Sequence, residues 1–381
     1  MEEAARAMST VLVEPVRTWR QRRQFVRLPW AIYRGDPHWI PPLLANHKEM
    51  LDYTHSPFYD EADIQTFLAT RDGIPVGRIA AIVNHAHNRH CGERRGFFGF
   101  FESENDPEVA RSLMAAVRQW LGNRGITAVR GPANPSMNHE CGLLVDGFDA
   151  APTFMNTYNP RYYPALIEGC GFHKSQDLFA LHQQTSALVQ TADKLAAFVR
   201  GSCQRLGIRF RPFDLRNFRA DVQVFMETFN QAYANVWGFV PFSPAEIDHL
   251  ARGIRPLITP DLTAIAEVDG KPVAAVLAML DYNPRIKAID GRLLPFGFIR
   301  LLANRRAIHR IRVVSAQVVP EFQRQGLGPL LMAHLLPAMQ ARGIDEVEFS
   351  TVIESNQFSF ATLRRIGATV TKTYRMYDAN T

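Results

Sequence analysis

One short signal occurs twice in this chain. Asp72-Gly73-Ile74-Pro75-Val76 and Asp269-Gly270-Lys271-Pro272-Val273 share the pattern Asp-Gly-x-Pro-Val, 197 residues apart. Each lies between two apolar, β-branched runs: Asp63–Thr70 and Val76–Val83 in one case, Leu262–Val268 and Val273–Leu280 in the other. An Asp-Gly pair in that setting predicts a tight β-hairpin. Further on, Leu113-Met114-Ala115 returns as Leu331-Met332-Ala333 and Arg124-Gly125-Ile126 as Arg342-Gly343-Ile344, both at 218, while Gly171 returns as Gly367 at 196. Anchors recurring in the same order argue for an internal duplication. The steps in offset place one insertion after the second hairpin, within Arg285–Arg310, and another after Arg124-Gly125-Ile126, within Gly131–Phe148.

A chain of 381 residues exceeds the usual size of one core, so two domains are expected, 1–190 and 191–381. The second is expected to read strand Ile208–Phe213, helices Leu215–Tyr233 and Pro244–Ile258, the hairpin, strand Ile311–Val319, a helix, strand Val347–Ile353, helix Gln357–Ile366 and strand Thr369–Met376. The first opens with strand Ser9–Val16, helix Thr18–Tyr33 and a helical stretch at Leu44–Leu51. This is an α/β (α+β) pattern of two mixed central sheets flanked by helices.

With 46% hydrophobic and 21% charged residues, the composition excludes a disordered chain. The acidic N-terminus carries no apolar leader, and no apolar run is long enough to span a bilayer, so a cytoplasmic protein is expected. Cys91, Cys141, Cys170 and Cys203 are widely spaced and read as ordinary thiols. His85, His87, His90 and Cys91 fall in an expected surface loop without a second ligand pair, so no metal is expected. The net charge of +6 suits an anionic partner, but no nucleic-acid recognition motif accompanies it.

The chemistry concentrates at Gln323-Arg-Gln-Gly326-Leu-Gly328, between an apolar strand and a helix whose first turn holds Pro329. Two glycines let the backbone bend and come close to a ligand, and the helix start offers N–H groups to an anion with Arg324 beside them. No Lys-Ser/Thr follows, so this is not a Walker loop. The loop and its context resemble the Gln/Arg-x-x-Gly-x-Gly/Ala loop of the GNAT acyltransferases, which binds the pyrophosphate of coenzyme A. The resemblance covers about residues 205 to 379, and at offset 218 the first copy has Asn105-Asp-Pro-Glu-Val-Ala110 instead. Two carboxylates would repel a pyrophosphate there, so the expectation is a tandem GNAT fold with a degenerate N-terminal copy, as in proteins resembling mycothiol synthase.

By this resemblance acyl-CoA or acetyl-CoA is the co-substrate and an amine the acceptor. Val318 and Val319 would pair with pantetheine and hold the oxyanion. Gln323, Arg324, Gln325, Gly326, Leu327 and Gly328 would take the pyrophosphate, and Asn356 would reach the pantetheine arm while capping its helix. The family's tyrosine acid is replaced by Leu363, so Tyr374 or Tyr377 on the last strand, or water, stands in, with Glu354 as the base. The first-copy segment Gly131–Phe148 reads as a turn-rich loop or part of a polar-substrate wall. The Arg285–Arg310 insertion mixes Leu293, Leu294, Phe296, Phe298 and Ile299 with Arg292, Arg300, Arg305 and Arg306. It suits peripheral contact with the inner face of an anionic membrane through Arg292–Arg310, or the roof of an acyl channel. The substrate this implies, a long acyl chain, a lipid amine or both, would fit the bacterial ceramide synthases, which join a fatty acyl group from CoA to a sphingoid amine. A non-catalytic acyl-CoA sensor is the alternative reading.

Overall fold

A computed structural model describes residues 10–51 and 55–381, those at 192–200 and 202–203 by backbone alone. The N-terminal residues read for a leader, the first residue of the expected Ser9–Val16 strand and the Cys203 thiol lie outside the described residues. The strands are β1 (Leu12–Pro15), β2 (Ala62–Arg71), β3 (Ile74–Asn84), β4 (Arg95–Ser103), β5 (Ala128–Gly131), β6 (Ala133–Asn134), β7 (Glu140–Cys141) and β8 (Leu143–Asp146). They continue with β9 (His173–Gln184), β10 (Arg209–Arg211), β11 (Thr263–Val268), β12 (Lys271–Leu280), β13 (Arg310–Val318), β14 (Glu346–Ile353) and β15 (Thr369–Asn380).

The chain forms two compact units. The first runs to Asp177 and adds Asp290–Arg292 and Thr373–Thr381; the second holds Leu178–Ile289 and Leu293–Lys372. The boundary expected at 190 is thus displaced, because two long strands each serve both units. The later part of β9 pairs with β14 in the second unit, and the end of β15 pairs with β5 in the first. Sequence periodicity marks a strand but not the partner it finds.

Both hairpins form as expected. Asp72 and Gly73 have φ of 52° and 75°, Asp269 and Gly270 of 49° and 75°, the left-handed pair that a two-residue primed turn requires. Both also carry a register shift at the same place, Ala69/Thr70 and Ala266/Glu267. The first helix of the first unit, Trp19–Ile32, starts on a Thr18–Gln21 capping box; Ser243–Glu246 forms the same device on Pro244–Ile254 in the second. Helix Pro107–Gly122 buries Val109, Leu113, Met114, Val117 and Leu121 in the first unit, and helix Leu327–Ala341 buries Leu330, Leu331, Leu335 and Met339 in the second. Each such side chain contributes about 1.5–3 kcal/mol on burial.

Pro29 inside the Trp19–Ile32 helix has no N–H to give the carbonyl of Phe25. Arg78 on β3 supplies the missing donor, its Nη1 lying 2.6 Å from that oxygen. The same guanidinium meets His47 Nε2 at 2.9 Å and Glu102 on β4 at 3.4 Å, and Tyr163 donates to Glu102 at 2.7 Å. His47 must therefore be the neutral acceptor, and burial, followed by the Arg78 charge, holds its pKa well below the ordinary 6.5. The unfolded chain still titrates near 6.5, so stability is complete above that pH and falls as the pH drops toward the folded value. The melting temperature is expected to decline from pH 7 to pH 5, and thermal melts of His47→Gln should show a shallower slope. An unchanged slope would remove His47 from the account.

Candidate active site

The second unit opens between two neighbouring strands. β13 and β14 run parallel and pair from Arg310↔Glu346 to Val313↔Phe349, where the pairing stops. β13 goes on to Val318 alongside β12, and Val352 and Ile353 of β14 turn to Phe179 and Leu178 of β9. A register shift against β12 at Leu277/Ala278 inserts Val314 as an extra residue just past the last paired position. A bulge increases local twist, and here it carries β13 away from β14. The result is the splay in which the resemblance places acyl-CoA.

Strand alternation then decides which backbone faces the opening. Val319 donates its N–H to Val273 on β12 at 2.9 Å, and its carbonyl accepts from Phe322 at 3.0 Å. Both groups of Val319 thus have partners within the protein. Val318 lies one residue back, so its backbone points the other way, into the splay. Its carbonyl accepts from Gln323 Nε2 at 3.1 Å, tying the start of the loop to the strand.

The loop follows a single turn at Pro320–Phe322. Arg324 and Gly326 take φ of 63° and 83°, and the helix begins at Leu327. No side chain caps that helix and no acidic residue sits in its first turn. Gln325 instead donates to the Glu321 carbonyl at 2.9 Å. A Cβ on Gly328 would meet nothing within 4 Å, so the space above it is not needed for the protein's own packing. An uncapped helix start facing open space is a ready anion site.

The first unit holds the same arrangement in closed form. β4 and β5 pair in parallel only from Arg95↔Ala128 to Phe97↔Arg130. Here the chain's own β6–β7 hairpin lies against the continuing β4, with Asn134 Oδ1 accepting from Phe100 N at 2.6 Å. The approach is so close that a Cβ on Gly99 would stand 1.9 Å from the Ala133 carbonyl. The Gly131–Phe148 segment therefore has a structural role in this unit. At the helix start, Asp106 accepts from Glu108 N at 2.8 Å, and Arg71 bridges Asp106 at 2.6 Å and Glu108 at 3.0 Å. The carboxylates and the guanidinium already satisfy one another.

Beyond the loop, Asn356 caps helix Gln357–Arg365, its side chain accepting from Ser359 N at 3.1 Å, and Glu354 sits at the end of β14 with its carbonyl receiving Gln357 at 2.7 Å. Both stay with the splay in the second unit. Tyr374 and Tyr377 belong to the first unit, where Tyr374 lies opposite Leu144 and the buried Tyr377 donates to Glu168 at 2.9 Å. Burial and that carboxylate hold the Tyr377 phenol far above its usual range.

A different tyrosine lines the strand before the loop. Tyr233 ends helix Phe218–Tyr233 and bonds to Ser315 of β13, which donates to Gln317 at 2.5 Å; Gln317 in turn donates to the Phe225 carbonyl at 3.1 Å. Desolvation pushes the Tyr233 phenol up, and the Ser315 contact opposes it. No motif flags this row.

His85, His87, His90 and Cys91 sit on a short helix, His85–Cys91, rather than in the expected loop. His85 lies 3.2 Å from Asp63 and His87 3.2 Å from Glu93. Cys91, Cys141 and Cys170 form no disulfide among the described residues. No helix among the described residues is long and apolar enough to cross a membrane.

Residues 225–368 match the Acetyltransferase (GNAT) family. The chain is 33% identical over 374 residues to the bacterial ceramide synthase of Caulobacter vibrioides (strain NA1000 / CB15N), covering 96% of both chains. It is 32% identical over 364 residues to Protein YghO of Escherichia coli (strain K12), covering 93% of this chain and 92% of that one. Among solved structures, a tandem GNAT protein from the clavulanic acid biosynthesis pathway superposes with a TM-score of 0.58 at 13% identity, covering 97% of this chain and 98% of that one, a likeness of fold. An open strand splay with an uncapped loop, repeated in closed form, and relatives matched along nearly their whole length place this acyltransferase in the GNAT family, as a tandem of two such folds.

Proposed function

We propose that the second unit transfers a long acyl group from coenzyme A to the primary amine of a sphingoid-type lipid. The observation that carries this reading is the open β13–β14 splay beside the uncapped loop 323–328, and the full-length similarity to a protein named bacterial ceramide synthase supports the lipid substrate. In this mechanism Gln323, Arg324, Gln325, Gly326, Leu327 and Gly328 hold the pyrophosphate, and the Asn356 amide reaches the pantetheine arm. The Val318 N–H polarises the thioester carbonyl. The neutral amine attacks the carbonyl carbon, Glu354 takes the amine proton, the C–S bond breaks, and Tyr233 protonates the departing thiolate.

The test is release of free CoA thiol from palmitoyl-CoA and from acetyl-CoA, each with and without sphinganine. Amine-dependent release favouring palmitoyl-CoA is expected. Binding of palmitoyl-CoA without any amine-dependent release would overturn the enzyme assignment and leave the acyl-CoA sensor, which the leucine at the family's tyrosine position favours. Tyr233→Phe is expected to lower kcat about 100-fold with little change in KM, the scale of general acid catalysis. An unchanged kcat would mean that the thiolate leaves unaided.

A further inference from the structure

The second unit presents a piece of chain that its core does not cover. Leu294 is 80% exposed, Phe296 69%, Phe298 47% and Ile299 51%, with Pro295 and Arg300 exposed among them. Single apolar side chains are common on surfaces, but four within six residues form a patch that marks a binding face. Its base is built. Leu301 is buried, and Arg285 donates to the carbonyls of Leu301 at 3.1 Å, Ala303, and Asn304 at 2.6 Å, closing the end of helix Gly297–Leu302. Arg305 donates to the Pro256 carbonyl at 2.6 Å. The tip is held out from a fixed support.

Its charge has one sign. From Gly291 to Arg310 there is no Asp or Glu, and the exposed Arg300 and Arg306 have no carboxylate partner among the described residues. A soluble polyanion would satisfy these arginines and leave the apolar tip in water. A second copy of the chain meeting the apolar tip would bring two sets of unpaired cations together. A surface with an apolar interior and anionic headgroups satisfies both.

We propose that Leu294–Arg300 docks this protein on an anionic lipid bilayer. Leu294, Phe296, Phe298 and Ile299 enter the headgroup boundary, and Arg300 and Arg306 meet lipid phosphates. A helix of six residues lies in that boundary and does not span it. The docking needs no acyl-CoA and stands apart from the transfer reaction.

The test is co-sedimentation of the full chain, without substrate, on vesicles of mixed phosphatidylglycerol and phosphatidylcholine and on phosphatidylcholine alone. Partition should favour the anionic vesicles by about tenfold or more and weaken as salt rises. Phe296→Asp with Ile299→Asp should lose at least about tenfold, as should Arg300→Glu with Arg306→Glu, at unchanged melting temperature. If the paired aspartates lower the melting temperature, Leu294→Gln, at the most exposed position, carries the test. Equal partition onto neutral vesicles, or no effect of the apolar substitutions, would overturn the proposal. So would light scattering that shows a dimer dissolved by Phe296→Asp with no vesicle binding by the wild type.

Discussion

Gly328→Glu is expected to lower acyl-CoA affinity at least about 100-fold while leaving the fold intact. A Cβ at Gly328 meets nothing within 4 Å, and its φ lies outside the left-handed region, so the backbone tolerates the side chain. What changes is the charge at an uncapped helix start. A carboxylate about 4 Å from a pyrophosphate, at the effective dielectric near a protein surface, is worth roughly 4 kcal/mol of repulsion. The substitution makes the second unit resemble the first, where Asp106 and Glu108 occupy the matching helix start and Arg71 neutralises them. Isothermal titration with CoA measures the loss, and a thermal melt checks the fold. Affinity within threefold of wild type would move the pyrophosphate away from this loop. Asp106→Ala is the natural control and should leave CoA binding unchanged.

The second large effect is one of stability. Arg78→Met removes the donor to the Phe25 carbonyl and strands Glu102, whose side chain is only 12% exposed, beside Tyr163. Breaking one partner of a buried ion pair costs about 3–5 kcal/mol. At roughly 2–4 °C per kcal/mol for a unit of this size, the melting temperature should fall by about 10 °C. Burial already pushes the Glu102 carboxyl up, against the pull of Arg78, so without the guanidinium it should protonate more readily. Arg78→Met with Glu102→Leu should recover part of the loss, since a matched apolar pair leaves no stranded charge. A melting temperature within 2 °C of wild type for the single substitution would show that the network is not needed for stability.

The amino-acid sequence is most legible where local chemistry decides conformation. The Asp-Gly turns and the Arg-Gly-Ile helix ends carry their own backbone requirements, with Gly125 and Gly343 at φ of 70° and 68°, so the duplication shows in the residues themselves. The loop 323–328 is legible for the same reason. Features set by pairing across distant chain are not. Which way Val319 points depends on its register with Val273, and where Tyr377 goes depends on β15 finding β5, nearly 250 residues earlier in sequence. Tyr233 carries no motif at all, and its partner Ser315 lies far along the chain. The plug of the first splay by Asn134 is likewise hidden, because a Gly-Pro-Ala-Asn-Pro run signals a turn but not the cleft it fills.

The two strands that serve both units say something about inheritance. A duplicated gene usually leaves each half free to drift, and a half that has lost its ligand site can be discarded. Here residues 178–184 line the edge of β14, while residues 377–380 line the edge of β5. Excising either half would strip a strand from the other and bare a row of unpaired backbone groups that invites aggregation. The first copy is therefore a structural dependant and a structural provider at once, so the two halves can only be lost together.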